Sequence, residues 1–269
     1  MLNYVEYGKE NKYDDDIFFQ KYSQMSRSQQ GLAGAGEWET LRKLLPDFKD
    51  KRVLDLGCGY GWHCIYAMEH GASSVVGVDI SHKMLEVAKE KTHFPQVEYK
   101  CCAIEDVEFP EESFDVILSS LAFHYVADYE ILVKKIYRIL KSGGKLVFTV
   151  EHPVFTAYGT QDWYYNEKGE ILHFPVDNYY YEGKRTAVFL GEKVTKYHRT
   201  LTTYLNTLLS NGFIINRIVE PQPPEYMMDI PGMQDEMRRP MMLIVSANKK
   251  VDRSVSYTHL RAHETDSYL

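Results

Sequence analysis

The sequence predicts an α/β fold with a doubly wound, mostly parallel sheet that carries helices on both faces. Short apolar runs alternate with segments of helical periodicity across residues 50–250. Three glycines at alternate positions follow the first of these strands and lead into the next helix. The fourth strand, 114–122, is almost continuously apolar, which is typical of a parallel strand covered on both faces.

Composition limits the classes of function. The chain has 269 residues, 44% of them hydrophobic, which is enough for a sizeable core, and a formal net charge of −7, which argues against a nucleic-acid partner. No apolar run approaches the roughly 18–20 residues that a membrane span needs, and the polar N-terminus carries no signal peptide. The four cysteines form no C-x-x-C pair, so we expect reduced thiols in a cytoplasmic protein and no metal site.

The stretch 53–61, Val-Leu-Asp-Leu-Gly-Cys-Gly-Tyr-Gly, organises the chain. A turn built of glycine lets a ligand approach the backbone closely, and the free N–H groups at the start of the following helix face the same point. A dinucleotide fingerprint that starts at Gly57 needs its third glycine at position 62, which holds Trp62. The spacing therefore disfavours an NAD-dependent oxidoreductase.

The second predicted strand, 74–80, contains an acid near its end. Asp79 lies 22 residues after Gly57, and an acid at that point can accept hydrogen bonds from both hydroxyls of a ribose. NAD enzymes use the same device, so Asp79 indicates an adenosine-type ribose without specifying the cofactor. Ser81 is a natural N-cap for the next helix, and Ile80 and Met84 are expected to pack on the adenine.

These motifs together resemble class I S-adenosylmethionine-dependent methyltransferases. The resemblance rests on an acid two residues before a G-x-G-x-G turn, on Asp79, and on the Leu-Lys-Ser-Gly-Gly-Lys-Leu turn at 140–146. It is strong over about residues 50–150 and closest to the small-molecule, methyltransferase type 11 branch that includes quinone-biosynthesis enzymes. It implies a seven-stranded Rossmann-like sheet whose last strand, 241–247, is antiparallel and lies between the fifth and sixth strands.

The resemblance also implies S-adenosylmethionine as cofactor and a set of residues that bind it. These come from the leading helices, the glycine stretch, the ends of the second and fourth strands, and the adenine segment: Tyr22, Asp55, Gly57, Cys58, Gly59, Tyr60, Gly61, Asp79, Ile80, Met84, Ala103, Ile104, Glu105 and Ser119. Many members have an Asp where Ala103 stands. The side-chain contact to the adenine amino group is therefore missing, and Glu105, Asp106 or the N–H of Ile104 is the candidate replacement.

The remaining segments predict a division of the chain. Residues 1–50 are expected to form a helical cap over the methionine end of the cofactor, and 51–154 with 198–250 to form the sheet domain. Residues 155–197 are crowded with aromatic side chains and turn pairs, which predicts an inserted β-rich lid. Within the lid, Trp163 and Tyr179 are candidate substrate contacts, and Tyr226 is a third candidate in the loop 221–240. The same rings are equally consistent with a small separate core or a homodimer interface.

The tail, 254–269, resembles the translated read-through of a sequencing adapter. We expect the natural chain to end near Lys249 and Lys250, and we assign no ligand role to His259 or His263.

The predicted reaction is in-line transfer of a methyl group from the sulfonium to a small organic acceptor, without a metal ion. Such a transfer mainly needs donor and acceptor held at attack distance. His124 and His152 follow strand ends where the acceptor should lie, and either is a candidate base or orienting group. The Asn/Asp-Pro-Pro-Tyr and Pro-Cys motifs of nucleic-acid methylation are absent. The alternative is a non-catalytic module that binds the cofactor, and the sequence leaves the methylated atom open.

Overall fold

The computed structural model describes Lys9 and residues 11–251. The predicted adapter-derived tail and the start of the predicted helical cap lie outside the described residues.

Eleven strands are present in the described chain, seven of them in one central sheet. Their bounds are β1 Arg52–Leu56, β2 Ser74–Asp79, β3 Val97–Cys101, β4 Phe114–Ser120, β5 Leu140–Glu151, β6 Tyr164–Tyr165, β7 Ile171–His173, β8 Gly183–Phe189, β9 Glu192–His198, β10 Phe213–Val219 and β11 Met242–Lys249. The order in the sheet is β10-β11-β5-β4-β1-β2-β3. Strands β1 to β5 run parallel, and β11 pairs antiparallel with both β5 and β10. The predicted seven-stranded sheet and the predicted place of its last strand are confirmed.

Within residues 11–251, eight α-helices connect these strands or precede them. They are α1 Asp16–Ser23, α2 Ser26–Gln29, α3 Trp38–Leu41, α4 Trp62–Glu69, α5 His82–Lys91, α6 Tyr129–Ile139, α7 Pro153–Thr156 and α8 Leu201–Ser210. Three of the longer helices begin at a side-chain cap, as their sequences favour. The hydroxyl of Ser81, the carboxylate of Asp128 and the hydroxyl of Thr200 each accept a hydrogen bond from a backbone N–H in the first turn.

An apolar core covers each face of the sheet. Successive residues of a strand point to opposite faces, so Leu54 and Leu56 join one core whereas Val53 joins the other. The first core includes α6 and α8, and the second includes Trp38 and Leu41 from α3. Burial on both faces is why these strands read as continuous apolar runs in the sequence.

Three boundaries differ from those predicted. The glycine pair after α6 does not separate the helix from β5, because β5 already begins at Leu140. Its register with β4 shifts between Phe114 and Val116, so the extra residues bulge around Gly143, whose φ is +72°. The sequence of 37–45, closed by Pro46, predicts one helix, but these residues divide into α3 and a 3-10 turn, Arg42–Leu44. The sequence also predicts a helix from His198, but His198 ends β9 and α8 begins at Leu201.

Two hairpins follow β5, which confirms a β-rich insertion at this point. Strand β6 pairs with β7, and β8 pairs with β9. The β8–β9 hairpin packs against α1 through a small core of Phe18, Ala187 and Val194. The ammonium group of Lys21 also donates to the carbonyl of Leu190 at 3.0 Å. The N-terminal segment and the insertion therefore support each other. Within the described residues, no helix is long and apolar enough to cross a bilayer.

Asp55 is a buried carboxyl group in the middle of β1 and the second core. It is 1% exposed, its Oδ2 lies 3.5 Å from Cys64 Sγ, and its Oδ1 has no hydrogen-bond partner within the described part of the chain. Burial, reinforced by the charge of Asp79, raises the pKa of Asp55 from 3.8 to about 7. The folded protein therefore keeps this carboxyl group protonated over a pH range in which the unfolded chain loses the proton.

This difference predicts a pH-dependent stability. Between about pH 4 and pH 7 the unfolded state binds fewer protons at this site, so the free energy of unfolding should fall as the pH rises. Each unit of pKa difference corresponds to about 1.4 kcal/mol, so the fall is on the order of a few kcal/mol. In urea titrations of the ligand-free protein, Asp55→Asn should flatten this slope and Asp50→Asn, on the exposed surface, should not. An unchanged slope in Asp55→Asn would show that the group is ionised in the folded protein.

Candidate functional site

One large cavity, about 790 Å³, lies at the carboxyl ends of the central strands. Its wall includes residues from the glycine turn, the ends of β2, β4 and β5, the N-terminal segment, the insertion and the loop before β11. Ligands of doubly wound sheets bind at this edge, outside the carboxyl ends of the strands. The volume lies within the range of small-molecule sites.

The glycine turn forms part of the cavity floor. Gly57, Gly59 and Gly61 all have positive φ, at +79°, +51° and +75°. A Cβ added at Gly57 would lie 2.4 Å from that of Ala122, and one added at Gly61 would lie 2.2 Å from the hydroxyl oxygen of Tyr99. A Cβ at Gly59 would meet no atom of the described residues within 4 Å. The outer two glycines are therefore required by packing, whereas Gly59 leaves room for a ligand against its backbone.

Asp79 joins the end of β2 to this turn. Its Oδ2 accepts a hydrogen bond from the N–H of Gly59 at 2.8 Å, and its Oδ1 accepts one from the N–H of Ser81 at 2.9 Å. Burial raises the pKa of Asp79, and the two hydrogen bonds oppose that shift. A carboxylate oxygen can accept more than one hydrogen bond, so both oxygens retain capacity for a ligand in the cavity. The acid and the open glycine predicted from the sequence thus meet at one point.

The other residues predicted to bind cofactor divide into three groups. Those that line the cavity with Gly57, Gly59 and Asp79 are Tyr22, Ile80, Met84, Ala103, Ile104 and Glu105. Cys58 and Tyr60 line a small adjoining pocket of about 80 Å³. Asp55, Gly61 and Ser119 are not among the lining residues of either. The hydroxyl of Ser119 donates to the carbonyl of Leu56 at 2.7 Å, and its neighbour Ser120 lines the cavity because strand side chains alternate.

A buried ion pair lies beside the glycine turn. Arg27 donates two hydrogen bonds to Glu37, at 2.6 and 2.8 Å, and the Glu37 side chain is 3% exposed. Both residues line the main cavity and also the adjoining pocket with Gly59. No motif marks this pair in the sequence, because its members lie in short helical segments ten residues apart. Their contact depends on how α2 and α3 fold over the turn.

His124 lines the cavity at the end of β4 and is buried. Its Nδ1 accepts a hydrogen bond from the backbone N–H of Glu151 at 3.4 Å. Burial lowers the pKa of His124 to about 4, so the ring is neutral near pH 7. Because Nδ1 is the acceptor, this bond assigns the ring proton to Nε2. The geometry fits a hydrogen-bond donor better than the predicted base.

His152, the second predicted base, lies outside the cavity lining. Its Nδ1 accepts from the N–H of Val154 at 3.1 Å and so caps α7, and its Nε2 lies 2.8 Å from Glu220 Oε1. A residue that follows a strand end can turn away from the sheet edge when it caps the next helix, as this histidine does. Both ring nitrogens of His152 thus face groups outside the cavity lining.

The three predicted substrate residues have different surroundings. Trp163 lines the cavity. Tyr179 does not, because its hydroxyl accepts from the N–H of Leu201 at 3.1 Å at the start of α8. Tyr226 is 61% exposed, and the neighbouring Met227 lines the cavity in its place. Aromatic content alone did not distinguish a ring that faces the cavity from one that faces solvent.

A second buried network, absent from the sequence prediction, lies where β5 ends. The carboxylate of Glu151 accepts hydrogen bonds from Lys196 Nζ at 2.5 Å and from Gln161 Nε2 at 2.6 Å. Lys196 Nζ also donates to Gln161 Oε1 at 2.8 Å, and its side chain is 3% exposed. Burial alone would raise the pKa of Glu151, but His124, Lys196 and these hydrogen bonds together lower it. Glu151 therefore places an ionised carboxylate in the cavity wall.

Comparison with known proteins agrees with this geometry. Residues 54–148 match the family model described as a methyltransferase domain. The chain is 36% identical over 112 residues to a ubiquinone biosynthesis O-methyltransferase of Coxiella burnetii, which covers 41% of this chain and 47% of that protein.

Two solved structures are similar over nearly their whole length, and both are named as S-adenosylmethionine dependent methyltransferases. The first, from Listeria monocytogenes, is 58% identical, with a TM-score of 0.79, and the match covers 82% of this chain and 99% of that one. The second, from Mesorhizobium loti, is 40% identical, with a TM-score of 0.75, and the match covers 81% of this chain and 100% of that one. The chain belongs to the S-adenosylmethionine-dependent methyltransferase family.

Proposed function

We propose that this enzyme transfers the methyl group of S-adenosylmethionine to a small organic acceptor by in-line displacement, without a metal ion. One observation carries the proposal: the Asp79 carboxylate and the open face of Gly59 meet in a cavity that continues beyond them to Glu151 and Trp163. The region at Asp79 and Gly59 suits a nucleoside, and the region that reaches Glu151 and Trp163 leaves space for a second molecule beside it.

The residues at the glycine-turn end suit the parts of the cofactor. Asp79 would accept hydrogen bonds from the ribose hydroxyls, and Ile80 with Met84 would pack on the adenine. The Arg27 guanidinium, held by Glu37, offers positive charge for a carboxylate beside the turn. Ala103 supplies no polar side chain, so the polar contact to adenine would come from Glu105 or from the N–H of Ile104.

The protein's part in the transfer is to hold two molecules in line and to exclude water. The bound cofactor supplies a methyl group on a positively charged sulfur that departs as a neutral thioether. The aromatic and apolar walls from the insertion and the loop before β11 would hold the acceptor against that methyl group, and correct positioning can supply several kcal/mol of the barrier. Among the described residues, no three His, Cys, Asp or Glu side chains are grouped to bind a metal ion.

The role of Asp79 can be tested by calorimetry with S-adenosylhomocysteine. Hydrogen bonds to a charged group contribute roughly 1.5–3 kcal/mol each, so Asp79→Asn should weaken binding at least about tenfold. The matched control is Asp115→Asn, because Asp115 also accepts a bond from a strand N–H, that of Arg52 at 2.9 Å, and does not line the cavity. The control should bind normally. A wild-type protein that does not bind S-adenosylhomocysteine would contradict the proposal.

The open face of Gly59 gives a second test. Gly59→Ala adds a methyl group where the ligand should touch the backbone, so S-adenosylhomocysteine binding should fall by more than about tenfold while the fold persists. Gly169→Ala is the control, because Gly169 also has positive φ, +79°, and open space around it, but lies in the β6–β7 turn. Both variants should lose a similar, small amount of thermal stability. Equal affinity in the two variants would place the ligand elsewhere.

A further inference from the structure

The charged groups that line the cavity are unevenly distributed. We use "acceptor end" for the part lined by Tyr125, Glu151, Trp163, Tyr165, Asp235 and Glu236. In the described chain, the basic residues that line the cavity are Lys9, Lys12 and Arg27, all from the N-terminal segment. Lys9 pairs with Asp106, and Arg27 lies by the glycine turn. The residues that define the acceptor end are carboxylates and aromatic rings.

The carboxylates of the acceptor end form ion pairs with three other basic residues. Arg239 pairs with Glu236 at 2.6 Å and lies over the ring of Phe155 at 4.6 Å, and Arg238 pairs with Asp235 at 3.0 Å. Lys196, the partner of Glu151, also lies over the rings of Tyr125 and Phe189, at 5.9 and 5.4 Å. Among the described residues that line the cavity, none of these three cations is present, so a ligand at the acceptor end meets the carboxylates from the cavity side.

Glu151 is the most firmly held of these carboxylates. Its neighbours come from three other elements: His124 from the turn after β4, Gln161 from the link between α7 and β6, and Lys196 from β9. The side chain is 13% exposed, and each oxygen accepts one hydrogen bond from this network. Each oxygen can accept another from the cavity side. The network therefore fixes one negative charge near the end of β5.

We propose that the methyl acceptor is a non-anionic amine whose nitrogen docks against the Glu151 carboxylate. This inference rests on the methyl transfer proposed above. The ammonium that docks on the carboxylate first releases a proton to water, which frees the nitrogen lone pair. That lone pair forms the new N–C bond as the S–C bond breaks, and the electron pair of the broken bond stays on sulfur. Positive charge thus passes from sulfur to nitrogen, and the methylated ammonium then loses a proton to water. A fixed carboxylate beside the nitrogen stabilises the charge that develops there.

The same surroundings disfavour a hydroxyl acceptor. An alcohol is a poor nucleophile until a base removes its proton. The Nε2 of His124 carries a proton, and the oxygens of Glu151 are held in an ion pair that makes them weakly basic. An ammonium releases its proton to water far more readily than an alcohol does, and the free amine is then a good nucleophile without a dedicated base. The acceptor end therefore fits nitrogen methylation better than oxygen methylation.

The test starts with an unbiased search for the acceptor. A bacterial metabolite extract is divided by ion exchange into cationic, neutral and anionic pools, and each pool is incubated with the enzyme and methyl-labelled S-adenosylmethionine. The label should appear in the cationic pool, on nitrogen, as fragmentation mass spectrometry would show. Label only in the other pools, or on oxygen or carbon, would overturn the inference. So would the absence of labelled product from a protein that binds S-adenosylhomocysteine.

Variants then test Glu151 itself. For the amine so identified, Glu151→Gln should weaken binding to the S-adenosylhomocysteine-bound protein, measured by calorimetry, roughly 10- to 100-fold and lower kcat/KM by at least as much. The double variant Glu151→Gln with Lys196→Met removes both buried charges, so it should fold and show the same loss. Glu108→Gln is the control, because the Glu108 carboxylate is also held by two side chains, Lys135 and Arg138, but lies outside the cavity.

The two proposals fail in distinguishable ways. If the wild-type protein does not bind S-adenosylhomocysteine, the proposed methyl transfer itself is contradicted. Normal cofactor binding in every variant, with unchanged amine affinity in Glu151→Gln and in the double variant, would overturn the amine inference alone.

Discussion

The site depends on the two hydrogen bonds that the Asp79 carboxylate accepts, from Gly59 and from Ser81. They join the last residue of β2 to the glycine turn after β1 and to the start of α5. Ser81 also donates to Asp14 Oδ1 at 2.6 Å, so the N-terminal segment is tied to the same point. A single buried acid therefore fixes the relative positions of the turn, a helix start and part of the cover. The backbone conformation of Gly59, with φ +51°, keeps the space beside this acid open.

The end of the cavity near Glu151 is formed by different elements. Two segments far apart in sequence, the β8–β9 hairpin and the N-terminal helix α1, pack on each other and leave a cleft between themselves and the sheet edge. The ion pair between Glu151 and Lys196 connects the hairpin directly to the end of β5. Removing one partner of such a buried ion pair usually lowers the folding stability by several kcal/mol. The network therefore holds the insertion in place and also keeps an ionised carboxylate in the cavity wall. Cofactor and acceptor would meet between two anchored acids, Asp79 and Glu151.

Much of this fold could be predicted from the sequence, because buried parallel strands and glycine turns have strong local signals. Asp79 was predictable for the same reason, since its distance from Gly57 is set by one β–α–β unit. Residues whose role depends on which way a side chain points were harder to predict. Ser119 faces into the sheet although it adjoins the cavity, and His152 turns away to cap α7. The Glu151 network was missed because its partners come from the insertion, where no motif fixes the spacing.

The most direct test of the central claim is a crystal structure of the protein with S-adenosylhomocysteine. We expect both ribose hydroxyls to lie within hydrogen-bond distance of the Asp79 carboxylate and the ligand to touch the Cα of Gly59. The thioether sulfur should point toward the end of the cavity that contains Glu151. A nucleoside bound away from the end of β2, with Asp79 bonded only to backbone N–H groups, would show that Asp79 does not hold the cofactor.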